Sequence, residues 1–154
     1  MSKLNLIIYI VLLVIIDYLI KGYASAHLNP FETIQFLPFL NFYLTSNTGI
    51  AFSMFDFGSG LSSYILLIIA VAIVIFLIQQ LLNETRKLSQ VGFIFIIGGA
   101  LGNIIDRAGD GAVTDFLHFY INNFSFFIFN PADAFITIGA LMLIYSEFRK
   151  TSNV

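Results

Sequence analysis

The run Tyr64–Ile78 (YILLIIAVAIVIFLI) holds no charged side chain, and with its flanks it extends from Leu61 to Leu82. A helix that is apolar on every side has no wet face, so protein or lipid must surround it. Crossing about 30 Å of hydrocarbon takes about 20 helical residues, and this segment suffices. Three more segments fit the same use, at 4–20, 91–106 and 131–148. A chain of 154 residues cannot hide four such helices inside itself. Only 10% of its residues are charged, where soluble domains carry about a quarter. The sequence therefore predicts one integral membrane domain over 1–154, a four-helix, largely α fold. The first and third segments are short, which predicts little tilt or a locally thinned bilayer.

Charge orients the spans. Lys3, Arg86, Lys87, Arg149 and Lys150 fall at the two ends and in the 83–90 loop, which four crossings put on one side. Lys21 and Arg107 alone lie toward the other side. The positive-inside rule then expects both termini in the cytoplasm. Lys3, the first apolar run and Ala24-Ser25-Ala26 imitate a cleavable signal peptide. Asp17 and Lys21 interrupt that pattern, so the first span is expected to be retained. Net charge is −2, which gives nucleic acid no basic surface to bind. The absence of Cys removes disulfides, thiolate metal sites and a cysteine nucleophile.

Two segments remain outside, 22–60 and 106–130, both rich in Phe and Tyr. Leu40–Thr45 and Phe124–Phe129 suit short strands by their aromatic content. A small outer-face sheet with an interfacial helix is expected.

Ionisable groups in or beside membrane spans are costly, so each needs a partner or a purpose. Asp17 and Lys21, four apart on one helix face, read as an ion pair closing the first span. Asn103, Asp106 and Arg107 fit a structural cluster or a catalytic one equally well, and Arg107 could orient a substrate carbonyl. Gly98, Gly99 and Gly102 predict close helix packing. Asn130-Pro131-Ala132-Asp133 has the pattern of an N-cap, a first-turn Pro and a first-turn acid. Asp115 interrupts an apolar stretch with no basic neighbour nearer in sequence than Arg107.

Topology brings Asp115 and Asp133 to one outer, apolar surface, where two carboxyls cannot both ionise cheaply and share a proton. One can then take a proton from water while the other donates to a carbonyl oxygen, which is hydrolysis by general acid–base catalysis. A metal site from Asp115 and His118 with Asp106 or Asp110 matches no familiar ligand spacing. A Ser–His hydrolase would need His27 or His118 and lacks a nucleophile elbow. A small channel or carrier using the same acids is the reading of another class. Repeats or broken helices at the midplane would mark it, and the acids gather at one face instead.

Several motifs, in order, resemble the lipoprotein signal peptidases (signal peptidase II). Asp17-Tyr18-Leu19-Ile20-Lys21 is similar to the family's Asp-Gln-x-x-Lys, and Asn47–Ser53 (NTGIAFS) to its Asn-x-Gly-Ala-Ala-Phe-Ser. Gly98–Arg107 (GGALGNIIDR) resembles its Gly-Gly-Ala-x-Gly-Asn-x-x-Asp-Arg, and Val113–Phe116 and Phe129–Asp133 its two aspartate segments. Tyr18 and Ile50 depart from the pattern, and neither touches an aspartate. The resemblance implies four transmembrane helices with an outer β-cradle and an interfacial helix. It implies an aspartyl endopeptidase of the bacterial cytoplasmic (inner) membrane. Such an enzyme removes the signal peptide from prolipoproteins just before a diacylglyceryl-modified cysteine. Asp115 and Asp133 would be the catalytic pair, with Asn47, Asn103, Arg107 and Asn130 lining the cleft. No metal or cofactor is expected. Membrane lipid and the lipidated precursor are the expected partners, cyclic peptides such as globomycin the expected inhibitors, and a monomer the expected state.

Overall fold

The structure, a computed structural model, describes residues 1–49, 61–122 and 124–151. In chain order the elements are α1 (Lys3–His27), β1 (Thr33–Leu37), β2 (Leu40–Asn47), α2 (Leu61–Asn83), α3 (Lys87–Asp110), β3 (Val113–Ile121), β4 (Phe124–Phe129) and α4 (Pro131–Thr151). All four helices are long and apolar enough to cross a membrane. Among the described residues of the outer segments no separate interfacial helix is present; residues 50–60 lie outside the described residues, as does the Ile50–Ser53 half of the Asn47 motif.

Helix α3 is the axis of the bundle, in contact with α1, α2 and α4. Ile94 and Ile97 of α3 pack with Leu6 of α1 and Val74 and Leu81 of α2. The opposite face of α2 turns outward: Tyr64, Ile65, Ile68, Ile69, Ile73 and Phe76 are exposed, as befits a helix solvated by lipid. Glycine sets the α3–α4 spacing. A Cβ on Gly92 would fall 2.9 Å from the Gly139 carbonyl oxygen, and one on Gly99 would collide with the Ala132 carbonyl. Of the glycines expected to pack closely, Gly99 meets backbone while Gly98 meets the Leu13 side chain of α1; Gly92, outside that expectation, makes the second backbone contact with α4.

Helices α1 and α3, at 25 and 24 residues, are not short, contrary to expectation. Apolar length alone ends them at the polar residues 17–21 and 103–107. Asp17, Lys21, Asn103 and Asp106 satisfy one another inside the bundle, so nothing obliges the helices to stop. The Asp17–Lys21 pair thus lies within α1 and does not close it. Helix α3 ends at Gly111, whose φ of +83° suits glycine and turns the chain into β3.

The sheet is antiparallel in the order β1-β2-β3-β4. Strands β2 and β4 include the two expected segments; β1 and β3 were not expected from aromatic content. Phe116 of β3 and Leu44 of β2 pack with Ala24 of α1, which fixes the sheet over the end of that helix. Asn122, at φ +52°, makes the β3–β4 turn, a conformation Asn tolerates.

Strand β2 carries a bulge. Asn41 pairs with His118 and Phe42 with Leu117, but Thr45 pairs with Asp115, so Tyr43 and Leu44 together oppose Phe116. Side chains alternate faces along a strand, and an inserted residue reverses the alternation beyond it. Asn41 therefore shares a face with His118, whereas Thr45 and Asn47 share the face of Asp115.

Candidate active site

Asp115, Asp133, Asn47, Asn103 and Asn130 come together. Asp115, 3% exposed, projects from β3, with Asn47 a diagonal neighbour across the sheet. Asn47 Nδ2 donates to Asp115 Oδ2 at 3.0 Å. Asp133 stands in the first turn of α4, and Asn130 caps that helix. Asp133 N–H donates to Asn130 Oδ1 at 3.1 Å, and Asn130 N–H donates back to Asp133 Oδ2 at 3.2 Å. This is a reciprocal capping box, so the N-cap expectation and the site are one arrangement. A cap leaves the side-chain amide nitrogen of Asn130 unused. It donates to Asp115 Oδ1 at 2.6 Å and to Asn103 Oδ1 at 3.2 Å. Asn103 Nδ2 in turn donates to Asp133 Oδ1 at 2.9 Å. Both carboxylates thus accept on both oxygens, and the wholly buried Asn130 touches each.

Below them lies a second layer that pairwise sequence reasoning missed. Lys21 Nζ meets Asp17 Oδ2 at 2.8 Å, Asp106 Oδ2 at 3.0 Å and Asn103 Oδ1 at 2.9 Å. Its three donors therefore have three acceptors. Asp17 Oδ1 accepts from Ala132 N–H at 2.9 Å, and Asp106 Oδ2 from Thr114 N–H at 3.2 Å. One ion cluster thus ties α1 to α3, to the start of β3 and to the start of α4. Gly102 leaves room for it, since a Cβ there would strike Asp17 Oδ2.

Arg107 stays outside these bonds. Its Nε is buried with no hydrogen-bond partner among the described residues, and Asp115, Asp133 and Asp106 are the charges that act on it. Burial pushes the Asp115 carboxyl from its ordinary 3.8 up to about 6. The amides of Asn47 and Asn130 oppose that rise, the Asp133 charge adds to it, and Lys21 opposes it.

Asn47, Asp115 and Asp133 open onto a cavity of about 590 Å³, walled by Phe127, Ile128 and Phe129 of β4 and by Ala134, Thr137 and Ile138 of α4. An apolar cleft with a few convergent polar groups, one of them with a perturbed pKa, is a usual form of active site. His118 points to the opposite face of β3, where it meets Ser125 Oγ at 2.7 Å, and so cannot share a metal ion with Asp115. Among the described residues no three His, Asp or Glu side chains are grouped as metal ligands.

A profile of the family described as Signal peptidase (SPase) II matches residues 9–149. The chain belongs to the signal peptidase II family. It is a membrane peptidase, and the channel or carrier reading is not favoured. The lipoprotein signal peptidase of Yersinia pseudotuberculosis is 41% identical over 140 residues, covering 90% of this chain and 83% of that one. That of Bartonella bacilliformis is 40% identical over 150 residues, covering 96% and 89%. A bacterial membrane enzyme solved by the in meso method at 2.3 Å resolution superposes with a TM-score of 0.84 at 30% identity, covering 98% of this chain and 92% of that one. A second, at 1.9 Å, gives 0.79 over 94% and 92%. Both aspartate segments of the sequence contribute to the wall of the cavity, through Asp115 and through Phe129 and Asp133.

Proposed function

We propose that this signal peptidase II is an aspartyl endopeptidase that releases the signal peptide of prolipoproteins, cutting before a cysteine that carries diacylglyceryl. The observation that carries the reading is the pair of aspartates held by one asparagine at the wall of an apolar cavity. Burial makes the Asp115 carboxyl hold its proton more tightly than an ordinary carboxyl does, which suits Asp115 to the part of the acid. Water attacks the scissile carbonyl carbon as Asp133 takes its proton, and Asp115 gives its own to the carbonyl oxygen. In the breakdown, Asp133 returns a proton to the leaving cysteine nitrogen, Asp115 recovers one from a hydroxyl, and the C–N bond breaks. Asn47, Asn103 and Asn130 orient the carboxylates, and Arg107 orients the substrate carbonyl. The steps use no metal or cofactor. A substrate anchored by its diacylglyceryl chains stays in the outer leaflet, and a cavity between β4 and the outer end of α4 meets its peptide bond there. The protein acts as a monomer in the bacterial cytoplasmic membrane, among its lipids, and globomycin-type cyclic peptides occupy the cavity.

Intact spheroplasts test both activity and orientation. A diacylglyceryl peptide added outside should be cleaved, and the same peptide without lipid should not. A lone cysteine placed by Lys87→Cys should resist a membrane-impermeant maleimide until the cells are opened. Labelling of that cysteine from outside would reverse the topology, and no cleavage by purified, folded protein would remove the activity.

The pH profile follows from the direction of the Asp115 shift. A raised carboxyl keeps its proton until pH passes about 6, and beyond that the pair loses its acid. The value of kcat/KM, which reports free enzyme, should decline as pH rises through about 6. The decline in kcat should lie higher, because bound substrate dries the site further. The two limbs belong to the pair as a unit. A kcat/KM flat from pH 5 to 9 would contradict this assignment of the proton.

A further inference from the structure

The cavity has one wall of a peculiar kind. Phe127, Ile128 and Phe129 are consecutive in β4, yet all three line it. Side chains of a strand alternate, so three neighbours reach one cavity only where it runs along the strand's edge. Among the described residues β4 is the last strand of the sheet, and the cavity lies on its outer side, between that edge and α4.

The main-chain groups can be assigned from the register. Tyr120 N–H donates to Phe39 C=O at 3.1 Å, on the β2 side of β3. Main-chain groups alternate sides along a strand, so Phe119 and Leu117 turn theirs to β4. Their partners there are Phe127 and Phe129, which spend their own groups on that ladder. Ile128, opposite His118, must turn its N–H and C=O outward. The next residue of the outward series is Asn130, whose N–H is donated to Asp133 Oδ2 at 3.2 Å. The outward edge of β4 therefore runs straight to an aspartate of the pair. Phe127 and Phe129, on the face of Asp115, supply apolar cover over the same groove.

Resting on the reading of this site as peptide-cutting, we propose that the substrate segment beside the scissile bond docks as an extended fifth strand on the β4 edge, paired with the main chain of Ile128. Recognition by strand addition takes its affinity from main-chain hydrogen bonds and its selectivity from pockets for alternate side chains. It thereby admits many sequences of one extended shape. The groove accounts for about three residues, or roughly 10 Å of strand.

Single N-methyl groups moved along a lipidated peptide substrate test this on the unaltered protein. Each removes one N–H donor. The expected result has a period of two: methylation at alternate positions raises KM about tenfold, the increase expected for a lost hydrogen bond of about 1.4 kcal/mol, and methylation at the positions between leaves KM near its parent value. A parallel Ile128→Pro variant deletes an outward N–H at an edge, where proline is tolerated. It should raise KM with kcat within about twofold and leave the melting temperature close to that of the parent. An N-methyl series without alternation, or a folded Ile128→Pro protein with unchanged KM, overturns strand docking. In both cases the parent still cleaves the unmethylated peptide, so the peptidase reading survives. Failure of the parent to cleave that peptide would remove the reading itself.

Discussion

Asp115→Asn and Asp133→Asn should each abolish nearly all turnover while the protein still folds. Each substitution keeps the side chain's size and removes an acid or a base, and such steps typically contribute about 10²–10⁴-fold. Stability is a separate balance. Asp115 accepts Asn47 Nδ2 and Asn130 Nδ2 on its two oxygens, and an asparagine can accept on only one. The other donor then faces an NH₂ group, a loss of about 1 kcal/mol. Against that, the buried charge disappears. The folded chain binds the Asp115 proton more tightly than the unfolded chain does, so this group's contribution to stability falls as pH rises from about 4 to about 6. The asparagine escapes that fall. The melting temperature of Asp115→Asn relative to the parent should therefore climb across this interval and level off above it, near parity. Cleavage assays and melting curves of both variants in detergent check this. Turnover above about a tenth of parent in a folded Asp115→Asn or Asp133→Asn protein would end the two-carboxylate mechanism.

Lys21→Met should do the reverse, striking folding harder than chemistry. Lys21 is 3% exposed and its ammonium is shared by Asp17, Asp106 and Asn103. Methionine fits the stem and removes the charge, leaving two carboxylates facing one another away from water. Removing one partner of a buried pair costs about 3–5 kcal/mol, against total stabilities of about 5–15 kcal/mol. Low yield and a melting temperature many degrees below that of the parent are expected, with residual cleavage per folded molecule exceeding that of either dyad variant. Asp17→Asn should be milder, because Lys21 keeps Asp106 and Asn103 and the new amide oxygen still accepts from Ala132 N–H. A Lys21→Met protein melting within 2–3 °C of the parent would mean that the cluster contributes little, as replaced buried ion pairs sometimes do.

Much of the site could be read from residue types, because the constraint on it is chemical. An acid in an apolar stretch is rare enough to point to itself, and Asp115 drew attention in this way; Asp133 read first as a first-turn acid and became a candidate only beside Asp115. Asn130 was visible as a cap, and its second role was not, since a capping pattern says nothing of where a spare amide N–H points. The same limit applies to Lys21. Its i,i+4 relation to Asp17 is written along one helix, whereas Asp106 and Asn103 reach it only when α3 packs against α1. Spans at 61–82 and 131–148 were legible because lipid-facing helices answer to composition alone. The true ends of α1 and α3 were not, since partners from other elements prolong them. Strand β3 escaped for a related reason. It holds Asp115, His118 and Thr114 among its apolar residues, a composition that its position between two other strands overrides.

The bulge in β2 can be understood as a shift of reading frame. A sheet has a frame of two, and the extra residue between Phe42 and Thr45 moves everything after it into the other frame. Asn47 reaches Asp115 only in the shifted frame. Losing one residue at 43–44 would remove the bulge and leave Asn47 opposite Val113 on the Asp115 side, whereas losing two would carry Asn47 to the His118 side even though its own codon is untouched. The length of this stretch therefore carries information about the site as surely as the identity of its residues, and a substitution scan would pass over it.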